Sequence, residues 1–263
     1  MNILKISNVT KSFGGNKVIN NLNMALKKGV ITTFIGPNGA GKTTAFNLIT
    51  GYISPDKGEI FYNEEKISHL PPYKIAKSGI MRSFQNLRLF NGLTVLENVL
   101  LAEQNHPGEK LSNLFFFPNR SKKGELRTIE KAYNVLEQVD LINKKDIPVK
   151  NLSYGEMKLL ALARIIMAES EVILLDEVLA GLDRQSIEDI INVIFKLKEM
   201  QKTICIIEHN VEVLKEVSDH VIFLHQGSVI AEGKIDQLLQ NKELTELYFG
   251  NPVSERGVSA NAT

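Results

Sequence analysis

Tryptophan is absent from this chain of 263 residues, and cysteine occurs only once, at Cys205. A single cysteine can form neither a disulfide within the chain nor a cysteine metal site, so we expect Cys205 to be a small buried hydrophobe. No apolar run approaches the ~20 residues that a membrane-spanning helix needs. Residues 1–5 also lack the charged start and apolar block of a secretory signal. We therefore expect a soluble, intracellular protein.

An excess of charge of either sign is also missing. The chain has 31 Lys and Arg residues against 30 Asp and Glu residues, which gives a formal net charge of +1. This balance creates no global field that would attract nucleic acid, so we expect no nucleic-acid partner. With 43% hydrophobic residues, the chain can bury about three quarters of its unfolded surface, in one or two domains.

What the sequence does contain is a glycine-rich loop between a predicted strand and a predicted helix. The apolar run 30–35 predicts a buried strand, the run 42–50 predicts a helix closed by Gly51, and the pattern G-x-x-x-x-G-K-[ST] joins them. Glycines let consecutive N–H groups point inward, and the helix N-terminus adds partial positive charge. The residues predicted to bind phosphates are Gly36, Pro37, Asn38, Gly39, Ala40, Gly41, Lys42, Thr43 and Thr44.

Two side chains of this phosphate loop carry chemistry. Lys42 can reach the β- and γ-phosphates as a point charge, and the Thr43 hydroxyl can ligate Mg²⁺. The alternative is a plain glycine turn, which any α/β fold can contain. Because every required position is present with the expected flanks, we predict that the chain binds a nucleoside triphosphate.

A pair of carboxylates follows a second buried strand. The apolar run 172–175 predicts a strand covered on both faces, and Asp176 and Glu177 come directly after it. A carboxylate beside the phosphate strand is where the Mg²⁺ shell needs negative charge, which predicts Asp176 as a metal-site residue. Glu177 is then placed to orient or deprotonate the attacking water. An acidic pair that ends a strand by chance is the alternative, and it is common for Asp-Glu alone.

The remaining patterns predict an α/β protein. Residues 1–29 alternate apolar and polar, which indicates antiparallel strands with one wet face. Residues 86–168 have a helical pattern, and the unbroken apolar run 203–207 is another buried strand. We therefore expect a P-loop NTPase core with a mainly parallel sheet, an N-terminal antiparallel β subdomain and an inserted α-helical subdomain. One domain would span 1–250, with its helical subdomain at about 86–168, followed by a flexible tail at 251–263.

Two segments of the helical region have patterns of their own. A helix after residue 123 is expected to bury one face, formed by Leu126, Ile129, Tyr133, Leu136 and Val139. The preceding insert contains three consecutive phenylalanines, 115–117, for which a membrane or partner contact and packing onto their own domain both remain open.

In sum, these motifs resemble those of the ATPase subunit of an ABC transporter, and the likeness covers about residues 3–250. Phe13 resembles the aromatic residue that stacks on adenine, with an ordinary core phenylalanine as the alternative. Gln85, at the end of the predicted strand 80–84, resembles the glutamine that senses Mg²⁺ and the γ-phosphate. His209 resembles the switch histidine that contacts the γ-phosphate, although a lone histidine is more often structural.

A further part of the resemblance concerns a second subunit. The signature segment, residues 152–156, has a serine and a glycine at the family's positions, Ser153 and Gly155, but carries Tyr154 and Glu156 where Gly and Gln are commoner. It also reads as a capping box at a helix start. In the family this helix start faces the γ-phosphate held by the opposite subunit. The segment 180–183, which ends at Asp183, resembles the loop that joins the two sites, and Val178 replaces a usual proline.

A finer resemblance links the stretches 82–90, 93–98 and 207–210 to the ATPases of branched-chain amino-acid importers. Importers of urea and short amides share the pattern, and so, less closely, does the ATPase of lipopolysaccharide export. The resemblance implies ATP and Mg²⁺ as cofactors, Glu177, His209 and Gln85 as catalytic residues, and Thr43, Gln85 and Asp176 at the metal. It also implies integral-membrane permease subunits, a second ATPase subunit and a solute-binding protein, with the chain peripheral on the inner face of the membrane. A groove near residues 87–90 would receive the permease.

Two other functions remain open at this point. A soluble ABC-type ATPase for DNA repair or cluster assembly would be supported by long coiled-coil inserts or a tandem second ATPase domain, and neither is present. A nucleotide-binding regulatory module without hydrolysis is opposed by Glu177 and His209.

Overall fold

The computed structural model describes residues 1–83, 87–104 and 118–249. Gln85, the phenylalanines 115–117 and the predicted tail 251–263 therefore lie outside the described residues. No helix within the described ranges is long and apolar enough to cross a membrane.

The N-terminal strands form a four-stranded antiparallel sheet, as predicted. It contains β1 (Asn2–Phe13), β2 (Asn16–Lys27), β4 (Lys57–Tyr62) and β5 (Glu65–Lys66), in the order β2-β1-β4-β5. Leu4 of β1 pairs with Leu26 on one side and with Tyr62 on the other. The alternation of buried and exposed residues along β1 and β2 gives this sheet one face toward the core.

A second sheet of six strands carries the predicted parallel core. Its order is β10-β9-β3-β8-β7-β6, built from β3 (Ile31–Ile35), β6 (Ile80–Arg82), β7 (Val172–Asp176), β8 (Thr203–Ile207), β9 (His220–His225) and β10 (Ser228–Gly233). Every residue of β3, β7 and β8 is buried, as expected for parallel strands covered on both faces. The hairpin of β9 and β10 supplies the antiparallel edge, and Cys205 is buried in β8.

One strand is shorter than predicted. We expected a strand over 80–84, but β6 ends at Arg82, where its pairing with β7 also ends, at Leu174. The Ser83 N–H still donates to the Leu174 carbonyl at 2.9 Å, which extends the alignment by one residue. The chain therefore stays hydrogen-bonded to β7 for one residue beyond the end of β6.

Nine helices occur within the described residues. They are α1 (Lys42–Ile49), α2 (Pro72–Ser78), α3 (Val95–Leu100), α4 (Pro118–Gln138), α5 (Tyr154–Met167), α6 (Arg184–Glu199), α7 (Val211–Val217), α8 (Ile235–Leu239) and α9 (Lys242–Phe249). Helices α3 to α6 share one apolar cluster with one face of the six-stranded sheet. Helix α1 and the antiparallel sheet share a second cluster on the other face. The α/β fold class is thus confirmed.

The predicted buried face of α4 is wrong at one end. Leu136 and Val139 are buried, but Leu126 is 56% exposed. The buried positions are Thr128, Ala132, Val135, Leu136 and Val139. Since residues two apart on a helix point about 200° apart, a face that contains Thr128 turns Leu126 to the outside.

Candidate active site

The phosphate loop follows β3 and opens α1, and its glycines adopt left-handed backbone conformations. The φ angles are 144° at Gly36, 79° at Gly39 and 100° at Gly41. A Cβ at Gly36 would lie 2.0 Å from the Leu224 carbonyl oxygen, so packing requires glycine there, whereas the atom nearest to one at Gly41 would be the flexible end of Ile19, at 2.7 Å. A Cβ at Gly39 would meet nothing within 4 Å. The backbone at Gly39 is therefore open to an approaching phosphate.

Lys42 brings a positive charge into this loop. Its side chain is 7% exposed, and its Nζ donates to the carbonyl oxygens of Gly36 at 2.7 Å and Pro37 at 3.0 Å. Burial lowers the pKa of Lys42, while the nearby carboxylates of Glu177 and Asp176 raise it in part. No side chain caps the start of α1. Together, the ammonium and the free first-turn N–H groups suit an anion such as a phosphate.

Asp176 ends β7 in a buried setting. Its carboxylate is 8% exposed and forms an ion pair with the Arg82 guanidinium, while its N–H donates to Ser83 Oγ at 3.2 Å. Arg82 also donates to Asn47 Oδ1 of α1 at 2.6 Å and lies 5.5 Å from the Phe46 ring. Arg82 thus ties α1 to β7, a role that the sequence patterns did not predict.

The catalytic candidates Glu177 and His209 lie next to each other. His209 Nε2 is 3.3 Å from Glu177 Oε1, and the Glu177 N–H donates to the Ile207 carbonyl at 2.9 Å. The φ angle of Glu177 is 49°, a left-handed conformation that costs a non-glycine residue about 1–3 kcal/mol and often marks a functional site. The ends of β7 and β8 therefore hold a carboxylate and an imidazole in contact.

Two buried charged residues behind this pair were not predicted. Glu208 is 4% exposed, and its carboxylate accepts the Leu179 N–H at 2.8 Å. Burial raises the pKa of Glu208, and its main-chain hydrogen bonds counteract this in part. Lys158 is 3% exposed, and its ammonium donates to the Ala180 carbonyl at 2.8 Å. An alternating apolar pattern gives no signal for such residues, because each occupies a position that hydrophobic side chains usually fill.

The signature segment is the start of α5, and it has the predicted capping box. Ser153 Oγ accepts the Glu156 N–H at 3.3 Å, and the Glu156 carboxylate accepts the Ser153 N–H at 2.9 Å. Lys144 forms an ion pair with Glu156. A Cβ at Gly155 would lie 2.5 Å from Ser186 Oγ of α6. Gly155 therefore allows the start of α5 to pack closely on the start of α6.

Asp183 caps α6 beside this contact. Its carboxylate accepts the Ser186 N–H at 3.0 Å and the Ser186 hydroxyl at 2.8 Å, and these hydrogen bonds lower its pKa. Within the described part of the chain, no hydrogen bond or ion pair joins Ser153, Gly155 or Asp183 to the phosphate loop. The structure thus brings Lys42, Asp176, Glu177 and His209 together and leaves these three residues as a separate group.

Phe13 ends β1 with its ring 46% exposed. Lys11 Nζ lies 5.6 Å from the centre of that ring. The alternative of an ordinary core phenylalanine is therefore wrong, and a flat apolar face remains available at the surface.

Mg²⁺ fits the donors that the site offers. Thr43 is exposed at the start of α1, and Asp176 supplies one carboxylate. Among the described residues, no group of three or more His, Cys, Asp or Glu side chains is arranged to hold a metal ion. Mg²⁺ usually binds through one or two protein ligands together with phosphates and waters, and a hydroxyl and a carboxylate are donors of the kind it takes.

Comparisons with known sequences agree with this site. The sequence model of one protein family, described as ABC transporter, matches residues 19–180. A probable branched-chain amino acid transport ATP-binding protein, LivG of Archaeoglobus fulgidus, is 36% identical over 97% of this chain and 98% of its own length. The high-affinity branched-chain amino acid transport ATP-binding protein BraF of Pseudomonas aeruginosa is 36% identical over 94% of this chain and 98% of its own length.

Solved structures give the same result. A nucleotide-free ATP-binding cassette from an ABC transporter has a TM-score of 0.82 at 35% identity, covering 95% of this chain and 100% of its own. The ATP-binding cassette MJ0796, solved as a dimer in a post-hydrolysis state with ADP and Pi, has a TM-score of 0.70 at 27% identity, covering 88% of this chain and 98% of its own.

Proposed function

The chain belongs to the ABC transporter family, as an ATP-binding ATPase subunit, and on that premise we propose that it powers uptake of branched-chain or other hydrophobic amino acids, or of a related small solute. The observation that carries the ATPase chemistry is the grouping of Lys42, Asp176, Glu177 and His209 at the ends of parallel strands. LivG and BraF, both branched-chain amino acid transport ATP-binding proteins, support an amino-acid cargo. Permease subunits and a solute-binding protein would then complete the transporter at the inner face of the membrane.

In this proposal each residue of the site has a defined role. Lys42 and the loop N–H groups hold the phosphates, and Phe13 stacks on the adenine. Glu177 orients and deprotonates the attacking water, and His209, in contact with it, steadies its carboxylate and faces the γ-phosphate. Thr43, Asp176 and Gln85 would hold Mg²⁺, which neutralises charge that develops on the phosphates. Gln85 lies outside the described residues, so its role rests on the resemblance alone.

A second ATPase subunit completes the site. Ser153, Gly155 and Asp183 form a group of their own, which fits a helix start that closes on a nucleotide bound by another subunit. The dimer of MJ0796 supports such an arrangement. Two nucleotides would then join two subunits, and the higher affinity of the closed state for ATP would supply the energy that moves the permease.

A surface cavity lies beside residues 87–90, where we expect the permease to bind. A cavity of about 370 Å³ lies between β6, α2 and α5, with Tyr73, Met81, Leu87 and Leu101 in its lining. Leu89 packs on the core, so it is less suited to a partner contact than its position suggested. We propose this cavity as the permease contact. We also propose a helical subdomain at about 86–168 within an ATP-binding domain of 1–250.

Turnover of a Glu177→Gln variant tests this function. With its permease subunits present, the variant should bind ATP as the wild type does, lose about 10²- to 10⁴-fold in ATPase rate and accumulate closed dimers. Unchanged ATPase activity would contradict the proposal. Glu216→Gln, a change on the exposed face of α7, serves as the matched control and should leave turnover unchanged.

The cargo is tested by transport. The reconstituted complex should accumulate labelled leucine in an ATP-dependent manner, and it should lose this activity with Glu177→Gln. Uptake of labelled urea without leucine would move the chain to the related importers, and ATP turnover without any uptake would favour the lipopolysaccharide-export or soluble ATPase alternatives.

A further inference from the structure

Lys158 is an ammonium group enclosed behind the start of α5. Its side chain is 3% exposed, and it extends to the turn that follows β7. Its Nζ donates to the carbonyl oxygens of Ala180 at 2.8 Å and Glu177 at 3.3 Å, and it lies 5.0 Å from the centre of the Tyr154 ring. A buried charge is costly unless it is hydrogen-bonded. The two carbonyl oxygens therefore fix the position of the Lys158 ammonium group.

Two carboxylates near Lys158 counteract part of the effect of its burial. Burial lowers the pKa of Lys158, while the carboxylates of Glu208 and Glu177 raise it in part. Glu208 is itself buried and accepts the Leu179 N–H, inside the same turn. Lys158 therefore donates to two carbonyl oxygens of the turn 177–180, and Glu208 accepts one of its N–H groups.

That turn carries the proposed catalytic base. The Ala180 N–H donates to the Glu177 carbonyl at 3.3 Å, and Lys158 bonds to the carbonyl oxygens at both ends of the turn. Glu177 has the left-handed φ of 49°, a conformation that persists only where its surroundings hold it. The Lys158 ammonium is part of those surroundings.

A second contact joins the same two segments. A Cβ at Gly155 would lie 2.5 Å from Ser186 Oγ, and one at Gly181 would lie 3.7 Å from the Tyr154 ring. The start of α5 therefore packs directly on the segment 180–186. A shift of this helix start would move Lys158 and, with it, the turn that ends β7.

We infer that Lys158 is a positioning residue that couples the start of α5 to Glu177 of the same subunit. The inference rests on the proposed function, in which that helix start closes on the nucleotide of the partner subunit. Closure on one nucleotide then fixes the base that acts on the other, so the two sites work cooperatively. Lys158 itself touches no nucleotide in this scheme, because it is buried and two of its three donors bond to the turn.

Lys158→Met tests the coupling in the full chain with its permease subunits. Methionine keeps the length and apolar stem but removes the charge and the donors. Affinity for a fluorescent ATP analogue should be unchanged, because the phosphate loop is intact. The maximal rate should fall about 10- to 100-fold, as expected when a base is misplaced by about 1 Å, and the dependence on ATP concentration should lose its cooperativity. Lys158→Arg, which keeps a cation and donors, should recover most of the rate.

Lys196→Met is the matched control, since Lys196 Nζ also bonds to a main-chain carbonyl, that of Gln138 at 2.8 Å, away from the site. It should turn over as the wild type does. A Lys158→Met variant with wild-type rate and cooperativity would overturn the inference, and so would equal losses with Lys196→Met or an equal loss of ATP affinity. If Lys158→Met does not fold, Lys158→Leu, which also lacks the charge and the donors, replaces it with the same expected result. A wild type that neither binds nor hydrolyses ATP would contradict the proposed function instead.

Discussion

In the phosphate-loop half of the site, meaning Lys42, Asp176, Glu177 and His209, charged groups from three parallel strands meet within one chain. In the signature half, meaning Ser153, Gly155 and Asp183, two helix starts pack on each other. The first half places Lys42 near two carboxylates and Glu177 against His209. The second half is held by capping bonds at Ser153 and Asp183.

The difference has a physical origin. Parallel strands end at one edge of their sheet, so the residues that follow them converge without help from another subunit. A helix start needs only its own cap and leaves its remaining N–H groups directed outward. On the proposed function, the first half should therefore bind a nucleotide without a partner subunit, whereas the second half should act only on a nucleotide that a partner subunit holds.

The largest effect on ATP binding should come from Lys42→Met. It removes the ammonium that is buried in the phosphate loop, and the loss of charged hydrogen bonds to phosphate, about 3 kcal/mol, should weaken ATP binding about 100-fold or more. Titration of the isolated chain with a fluorescent ATP analogue measures this. If affinity were retained, the phosphate-loop half would not be the primary binding site.

Ser153→Ala should have the opposite profile. The isolated chain should bind the analogue as the wild type does, while ATPase activity of the assembled transporter should fall about 10-fold, as expected when a hydrogen bond of about 1.4 kcal/mol to the transition state is lost. Loss of a helix cap also lowers stability by about 1 kcal/mol. Thr94→Ala controls for this, because Thr94 and Glu97 form the same capping box on α3. A similar fall in both variants would mean that capping alone explains the result.

Sequence patterns predicted the residues of the phosphate-loop half better than the residues that hold them in position. The loop 36–43 and the pair Asp176–Glu177 combine a local motif with a strand whose position follows from its apolar run, so both could be placed. The fold class was predictable for the same reason. Arg82, which ties Asp176 to α1, has no motif of its own, because its partners are 35 and 94 residues away in sequence.

Element ends and buried charges were the weak points. The strand 80–84 was predicted too long because the edge strand β6 leaves β7 after Arg82 although β7 continues to Asp176, and no residue pattern marks that point. Leu126 was placed inside because an apolar residue near a helix face matches the pattern even when it points outward. Lys158 and Glu208 were missed because charged residues predict exposure unless their partners are known.

Glu208 provides the smallest expected effect, which concerns stability rather than turnover. Burial raises its pKa above the usual 4.5, so between 4.5 and the folded-state value the folded chain binds more protons than the unfolded chain. Stability contributed by protonated Glu208 is therefore present below pH 4.5 and is lost as the pH rises through the folded-state pKa.

Glu208→Gln can still accept the Leu179 N–H but does not titrate. Urea unfolding at a series of pH values should show the variant gaining on the wild type as the pH rises from 4.5, whereas Glu216→Gln should not gain in this way. A difference that stays constant with pH would mean that burial does not raise the pKa of Glu208, and a difference that falls would mean that its hydrogen bond to Leu179 outweighs the burial.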